Sequence, residues 1–244
     1  MINLNRYKKI INNFRNNLED ISENIEYFLE KTINLGQDFG GPSVYFHNKA
    51  LEKQKLNFLK TDHLEMIYAV MPSWGMHRMG SKGAKMVDYI TFQNEIIKNE
   101  KLILELKKEN YKTVDKNIIV NLIINKIHVS TSNSYLVSSA KVLHHILPQL
   151  ISPIDRNYSI RFMRQNKDSF GKDPISINNE EAYAFIFLQE MYNFLLKNET
   201  KMLKYLESNK DNLYNKFNTS ITKIFDNLIM AYVKEYKGAI FNED

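Results

Sequence analysis

The sequence predicts an all-α fold, a globular multi-helix bundle, from three observations. Apolar residues recur at steps of three and four along most of the chain, the period of helices with one buried face. No strand–helix–strand alternation and no regular hairpin series interrupts that pattern. The 43% hydrophobic and 25% charged fractions are those of an ordinary globular protein, and 244 residues suffice for a substantial core.

The elements follow in order. Tyr7, Ile10, Ile11, Phe14, Leu18, Ile21, Ile25 and Phe28 predict one helix over 3–34, ended by Gly36, Gly40, Gly41 and Pro42. A second helix covers 43–59. Asp62 and Glu65 have capping-box spacing and start a short helix that Pro72 closes. After the loop 72–81, the markers Met86, Ile90, Phe92, Ile96, Ile97, Leu102 and Leu104 predict a long helix over 82–108. In 116–128 the β-branched content favours a strand, but apolar positions 118, 119, 122, 123 and 127 favour a helix, which we adopt. Further helices are expected at 133–147, 153–165, 179–197, 199–208 and 211–236, with 166–178 as the longest non-helical connection. No internal repeat or low-complexity linker divides the chain, so a single domain over 1–244 is expected. The alternative division is a C-terminal helical subdomain over 179–244.

Composition excludes several function classes. With no cysteine there is no disulfide, thiolate nucleophile or cysteine metal site. No apolar run at the N-terminus precedes a small-residue cleavage site, and no segment reaches the roughly 20 apolar residues of a membrane span. A cytoplasmic protein without membrane contact is expected. The net charge of +5 hints at DNA or another anionic partner. Lysine and asparagine are abundant in the way AT-rich codons supply, so arginine is the better witness. Of six arginines, Arg156, Arg161 and Arg164 cluster together.

They follow the most chemically dense stretch of the chain, Ser138-Ser139-Ala140-Lys141-Val142-Leu143-His144-His145-Ile146-Leu147-Pro148, which runs on to Ser152-Pro153-Ile154-Asp155-Arg156-Asn157-Tyr158. On a helix, Ser134, Ser138, Lys141 and His145 share one stripe, Leu136, Ala140, Leu143 and Leu147 the opposite face, and His144 a flank. Two readings stand: a solvated polar stripe, or a working site with Lys141 as nucleophile or anion ligand and His145 as its partner. Adjacent histidines point about 100° apart, so no metal site is expected, and no cofactor motif occurs. Ser152, Pro153 and Asp155 read as N-cap, first helical position and acidic third position, a duty compatible with catalysis by Asp155. Arg161 and Arg164 share a face and, with Arg156 and interleaved Tyr158, Phe162 and Phe170, suit phosphate contact and base stacking.

The serine-lysine, leucine-histidine and proline of Ser139 to Pro148, followed by Pro153, Asp155, Arg156 and Tyr158, resemble a recurrent pattern of uncharacterised helical bacterial and archaeal proteins. More distantly the stretch is similar to the helix-hairpin-helix DNA glycosylases, in which a lysine opens one helix and an aspartate the next. The resemblance implies a glycosylase-like central part, Lys141 as the amine that attacks sugar C1′, and Asp155 as the carboxylate that assists it. The chain departs from that family in having no glycine between Ser132 and Ser139, where the DNA-gripping hairpin would lie. Its lysine-to-aspartate spacing is also shorter.

Gly75 to Lys82 misses a P-loop by reversing its lysine and serine. Gly75 and Gly80 instead shape a loop in which Trp74 and Met76 plug the core, while His77 and Arg78 face a cleft shared with Lys141, His145 and Asp155. The function expected is a DNA-interacting helical protein of glycosylase or lyase type, with His77, Arg78, Arg156, Arg161 and Arg164 as nucleic-acid contacts. The alternative is a non-enzymatic helical interaction or oligomerisation module, supported by the long charged helices at 82–108 and 211–236.

Overall fold

The structure is a computed structural model that describes residues 4–38, 41–76, 85–132, 134–171, 177–212 and 215–237. Among them the fold is all-α, with eleven α-helices and no strand beyond a single antiparallel bridge between Met86 and Ser130. The helices are α1 (Lys8–Glu23), α2 (Ile25–Asp38), α3 (Pro42–Leu56), α4 (Thr61–Ser73), α5 (Tyr89–Ile97), α6 (Glu100–Leu106), α7 (Lys116–Asn121), α8 (Leu136–Ile146), α9 (Arg161–Arg164), α10 (Glu180–Ser208) and α11 (Ile221–Lys237). Single π-helical turns at Leu122–Lys126 and Arg156–Ile160 prolong α7 and precede α9. No helix among these is long and apolar enough to cross a membrane.

Most expected helices are present, with corrections at their ends. The helix over 3–34 is two, parted at Asn24, whose backbone N–H (3.2 Å) and side-chain amide (3.0 Å) both reach the Asp20 carbonyl. The apolar face runs on across the break, with Phe14, Leu18, Ile21, Ile25 and Phe28 all buried. The helix over 82–108 is also two. The Asn99 amide takes the carbonyls of Glu95 (3.0 Å) and Lys126 (3.1 Å), while Asp88 caps α5 through the Thr91 N–H (3.0 Å). Ahead of it, Lys85 and Val87 pair with Thr131 and Val129 instead of extending the helix. Gly41 enters α3 at φ +58° with Pro42 at the first position.

Asp62 forms no capping box. Its carboxylate takes the Asn57 amide (2.6 Å) and Lys53 (3.0 Å), and α4 starts at Thr61, two residues before a cap at Asp62 would place it. The two helices expected at 179–197 and 199–208 are one helix of 29 residues, capped by Asn179 through the Ala182 N–H (3.1 Å). In place of a helix over 211–236, α11 starts at Ile221, where the Ser220 hydroxyl accepts the Lys223 N–H (3.1 Å). The segment before it is tied down by buried amides: Asn227 donates to Asn218 (2.7 Å), and Asn218 to Thr32 (2.9 Å) and Asn215 (2.6 Å).

One contiguous core runs from Phe14 to Val233, with α11 packed on α2 and α10, and α1 on α10. At its centre lies α8, flanked by α3, α4, α10 and the first π turn. Every α8 residue from Ser138 to Ile146 is buried, so its polar stripe is not a solvated face. Lysine, histidine and serine there must find partners inside the protein.

Candidate functional site

Lys141, midway along α8, extends to Trp74 at the end of α4 and donates to its backbone carbonyl (2.8 Å). The same ammonium meets the Asp155 carboxylate at 3.0 Å. Asp155 has a second duty through its other oxygen, which accepts the Asn157 N–H (2.7 Å) and caps the π turn, while its own N–H donates to Ser159 (3.0 Å). Ser152 is therefore not the cap: residues 151–155 are non-helical, and the turn starts at the first carboxylate able to hold it. Burial pushes the Asp155 carboxyl up, but the Lys141 ammonium and the backbone donors outweigh it and hold it below the usual carboxylate range.

Both groups line a cavity of about 240 Å³ walled by Trp74, Pro153, Tyr158, Phe217 and Met230. A second ion pair, absent from the expectations above, faces the same space. Lys223 of α11 donates to Asp226 (2.6 Å) and Asn227 (2.6 Å), and its ammonium lies 3.7 Å from the centre of the Phe217 ring. The Lys223 side chain is 1% exposed and Asp226 6%, against 32% for Asp155, so the second pair is the dry one. Burial lowers the Lys223 amine and raises the Asp226 carboxyl, each toward its neutral form. The Tyr158 hydroxyl is pushed up to about 12 by burial and by the charges of Asp155, Asp38 and Asp226.

His145 does not partner the Lys141 amine. Its ring lies away from the cavity, with Nδ1 at 2.8 Å from the Lys141 carbonyl and Nε2 at 3.0 Å from His47 Nδ1. Burial pushes it down to about 3, so it is neutral, and the chain of acceptors fixes every tautomer. Nδ1 of His145 donates to the carbonyl, leaving Nε2 bare to accept from His47 Nδ1–H. His47 Nε2 is then bare and accepts the Thr219 hydroxyl (2.9 Å). His63 repeats the logic, accepting the Leu59 N–H on Nδ1 (3.1 Å) and donating from Nε2 to the His145 carbonyl (3.3 Å). His144 donates from Nδ1 to the Ile151 carbonyl (2.7 Å), and its bare Nε2 finds no partner among the described residues. His47 (5.3 Å) and His144 (6.3 Å) stack on Trp74 and His145 meets it tilted (4.7 Å), holding it at the cavity wall.

The arginines separate. Arg161 is 5% exposed and donates to the Asn157 and Gly171 carbonyls, so it braces the turn instead of reaching outward. Arg156 is exposed and donates to the Ser134 hydroxyl (2.8 Å), next to Glu180; Arg164 is half-buried and its carbonyl accepts the Asn13 amide (2.6 Å). His77 and Arg78 lie outside the described residues. No group of three or more histidines and acids able to hold a metal ion occurs among the described residues.

The second pair carried a readable signal: Lys223 and Asp226 stand three apart on one helix face, amid Ile224, Phe225, Leu228 and Ile229, with Thr222 and Asn227 as polar neighbours. Comparison of the chain with family models, with curated proteins and with solved structures gave no match.

Proposed function

We propose that this cavity is the active site of a DNA-interacting lyase of glycosylase type, in which Lys141 forms a Schiff base with a sugar aldehyde. The observation that carries the reading is the meeting of the Lys141 amine and the Asp155 carboxylate, 3.0 Å apart, inside one aromatic-walled cavity. The proton balance supports it. The ammonium gives a proton to Asp155, and the free amine attacks the aldehyde carbon. The carbinolamine oxygen then takes that proton back and leaves as water, and the iminium forms beside a regenerated carboxylate. Trp74 and Phe217 offer the apolar walls such a step needs.

Borohydride trapping on a duplex carrying an abasic site tests the reading. A covalent adduct is expected from the full chain, lost in Lys141→Met. Absence of any adduct from the unaltered protein refutes it. Arg156, not buried Arg161, is the variant for DNA affinity: Arg156→Ala should weaken binding and flatten its salt dependence.

The docking-module alternative draws on another surface, where Ile90 of α5 and Leu104 of α6 are exposed. Self-association that Ile90→Ser abolishes would favour it.

A further inference from the structure

The cavity is electrically balanced, and its charges are already matched. Two lysines and two aspartates line it, and each ammonium has its own carboxylate, at 3.0 Å for Lys141 with Asp155 and 2.6 Å for Lys223 with Asp226. Lys223 has nothing left to offer a ligand: Asp226 and Asn227 take two of its hydrogens, and Phe217 and Trp74 cover the ammonium. The hydroxyls of Ser43 and Ser73, on the same wall, donate to the backbone carbonyls of Ser73 (3.1 Å) and Val70 (2.7 Å). Lys141 differs. The Trp74 carbonyl and Asp155 hold two of its three hydrogens, which leaves one donor direction for a ligand. Much of the remaining wall is apolar, from Trp74, Pro153, Phe217 and Met230. An apolar space of about 150 Å³ is enough for benzene, so the cavity of about 240 Å³ here admits one substituted benzene ring.

We propose that the cavity also captures free, uncharged aldehydes, about the size of a substituted benzene, as Schiff bases on Lys141 without any nucleic acid. The inference rests on the Schiff-base chemistry read for Lys141 above and takes it beyond DNA. Charge decides the ligand class. A carboxylate or phosphate on the ligand would be an unpaired anion between apolar walls, since both ammoniums already face carboxylates. A neutral aldehyde leaves the balance as it was. Lys141 first gives a proton to Asp155, and the lone pair of the freed amine forms the C–N bond while the carbonyl pair moves to oxygen. That oxygen takes one proton from the nitrogen, then the Asp155 proton, and leaves as water. The iminium carries the charge the ammonium had, beside the restored Asp155 carboxylate, with the ligand's apolar body against Trp74 and Phe217.

Three aldehydes of one shape test it on the full chain: benzaldehyde, its neutral 4-carboxamide and its anionic 4-carboxylate. Each is trapped with cyanoborohydride at equal concentration. Peptide mapping then reads the modified lysines, with exposed Lys101 as the measure of each aldehyde's own reactivity. Relative to Lys101, the two neutral aldehydes should label Lys141 at least about tenfold more than the carboxylate does. Labelling of Lys141 no greater than that of Lys101 overturns the proposal, and so does equal labelling of Lys141 by all three. Asp226→Asn leaves the Lys223 charge uncompensated and should bring the carboxylate to within about threefold of its neutral partners. A gap unchanged in the folded variant refutes the charge argument; where the variant does not fold, the ratio in the unaltered protein decides. The lyase reading is judged separately, by trapping on the abasic duplex. An adduct there without selective labelling by benzaldehyde overturns only the capture of free aldehydes. Selective labelling without that adduct overturns only the DNA reading.

Discussion

The Lys223–Asp226 pair makes a quantitative prediction about stability. With side chains 1% and 6% exposed, each ion has lost nearly all its water, and its compensation is the partner at 2.6 Å plus Asn227. Removing one partner therefore strands a buried charge. Lys223→Met or Asp226→Leu should each cost about 3–5 kcal/mol. For a chain of this length that corresponds to a fall of roughly 6–12 °C in Tm at the lower bound. The double variant Lys223→Met/Asp226→Leu replaces the pair with apolar groups of similar size and should lie within about 1 kcal/mol of the unaltered protein. Urea unfolding at neutral pH, read by far-ultraviolet circular dichroism, closes the cycle. The Lys223→Met defect should also shrink on acidification, measured against the unaltered protein at each pH. A carboxyl raised in the folded state contributes stability below its unfolded pKa and loses it as pH rises through the folded value. Single and double losses that simply add, to within about 0.5 kcal/mol, would refute the claim that the pair is dry and mutually dependent.

Two further predictions concern the frame around the site. Burial pushes His63 down to about 4, so its stabilising contribution is complete above the unfolded pKa near 6.5 and is lost as pH falls toward 4. Stability should drop over that window, on the order of 3 kcal/mol for this one ring, and His63→Gln should show a shallower drop in urea midpoint against pH. Gly41, at φ +58° and ψ −129° with open space where a Cβ would stand, should meet no clash on substitution by alanine but lose about 1–3 kcal/mol to backbone strain, measurable as a lowered Tm.

Helical periodicity carried the fold class because the apolar faces are continuous, even across the interruptions. What it could not carry was the interruptions themselves. Asparagine is abundant here, and abundance reads as background. Yet Asn24, Asn99, Asn179 and Asn209 all stand at helix ends, three of them donating a side-chain amide to the carbonyl four residues back. The same amide-to-carbonyl bond occurs inside helices at Asn48 and Asn198 without ending them, so the bond alone does not decide an end and a one-dimensional pattern does not tell the two cases apart. The buried asparagines before α11 are the same effect in three dimensions, since Asn218 finds Thr32 across 186 positions.

The site divides along a similar line. Lys141 and Asp155 were visible because proline breaks set them off and because reactive groups crowd a short stretch. Their meeting in a cavity depended on α8 being central, which an amphipathic reading of its polar stripe did not anticipate. His145 was drawn into the site by sharing that stripe with Lys141. But residues four apart on a buried helix are also joined through the backbone, and the imidazole takes the Lys141 carbonyl, not its amine (2.8 Å). The arginines divide in the same way. Arg161 is scarce in kind and adjacent to the motif, yet its guanidinium closes the turn that presents Asp155, bonding Asn157 and Gly171. Lys223 and Asp226 were overlooked because an i, i+3 lysine–aspartate pair is an ordinary sight on solvated helices. Here the helix buries that face, and Asn227 and the partner ion stand in place of water. A charged pair that a helix carries into its core at such expense is tolerated where the fold needs the charge itself. The shared cavity with Lys141 and Asp155 is the one place in the described structure where that need can be tested by chemistry as well as by stability.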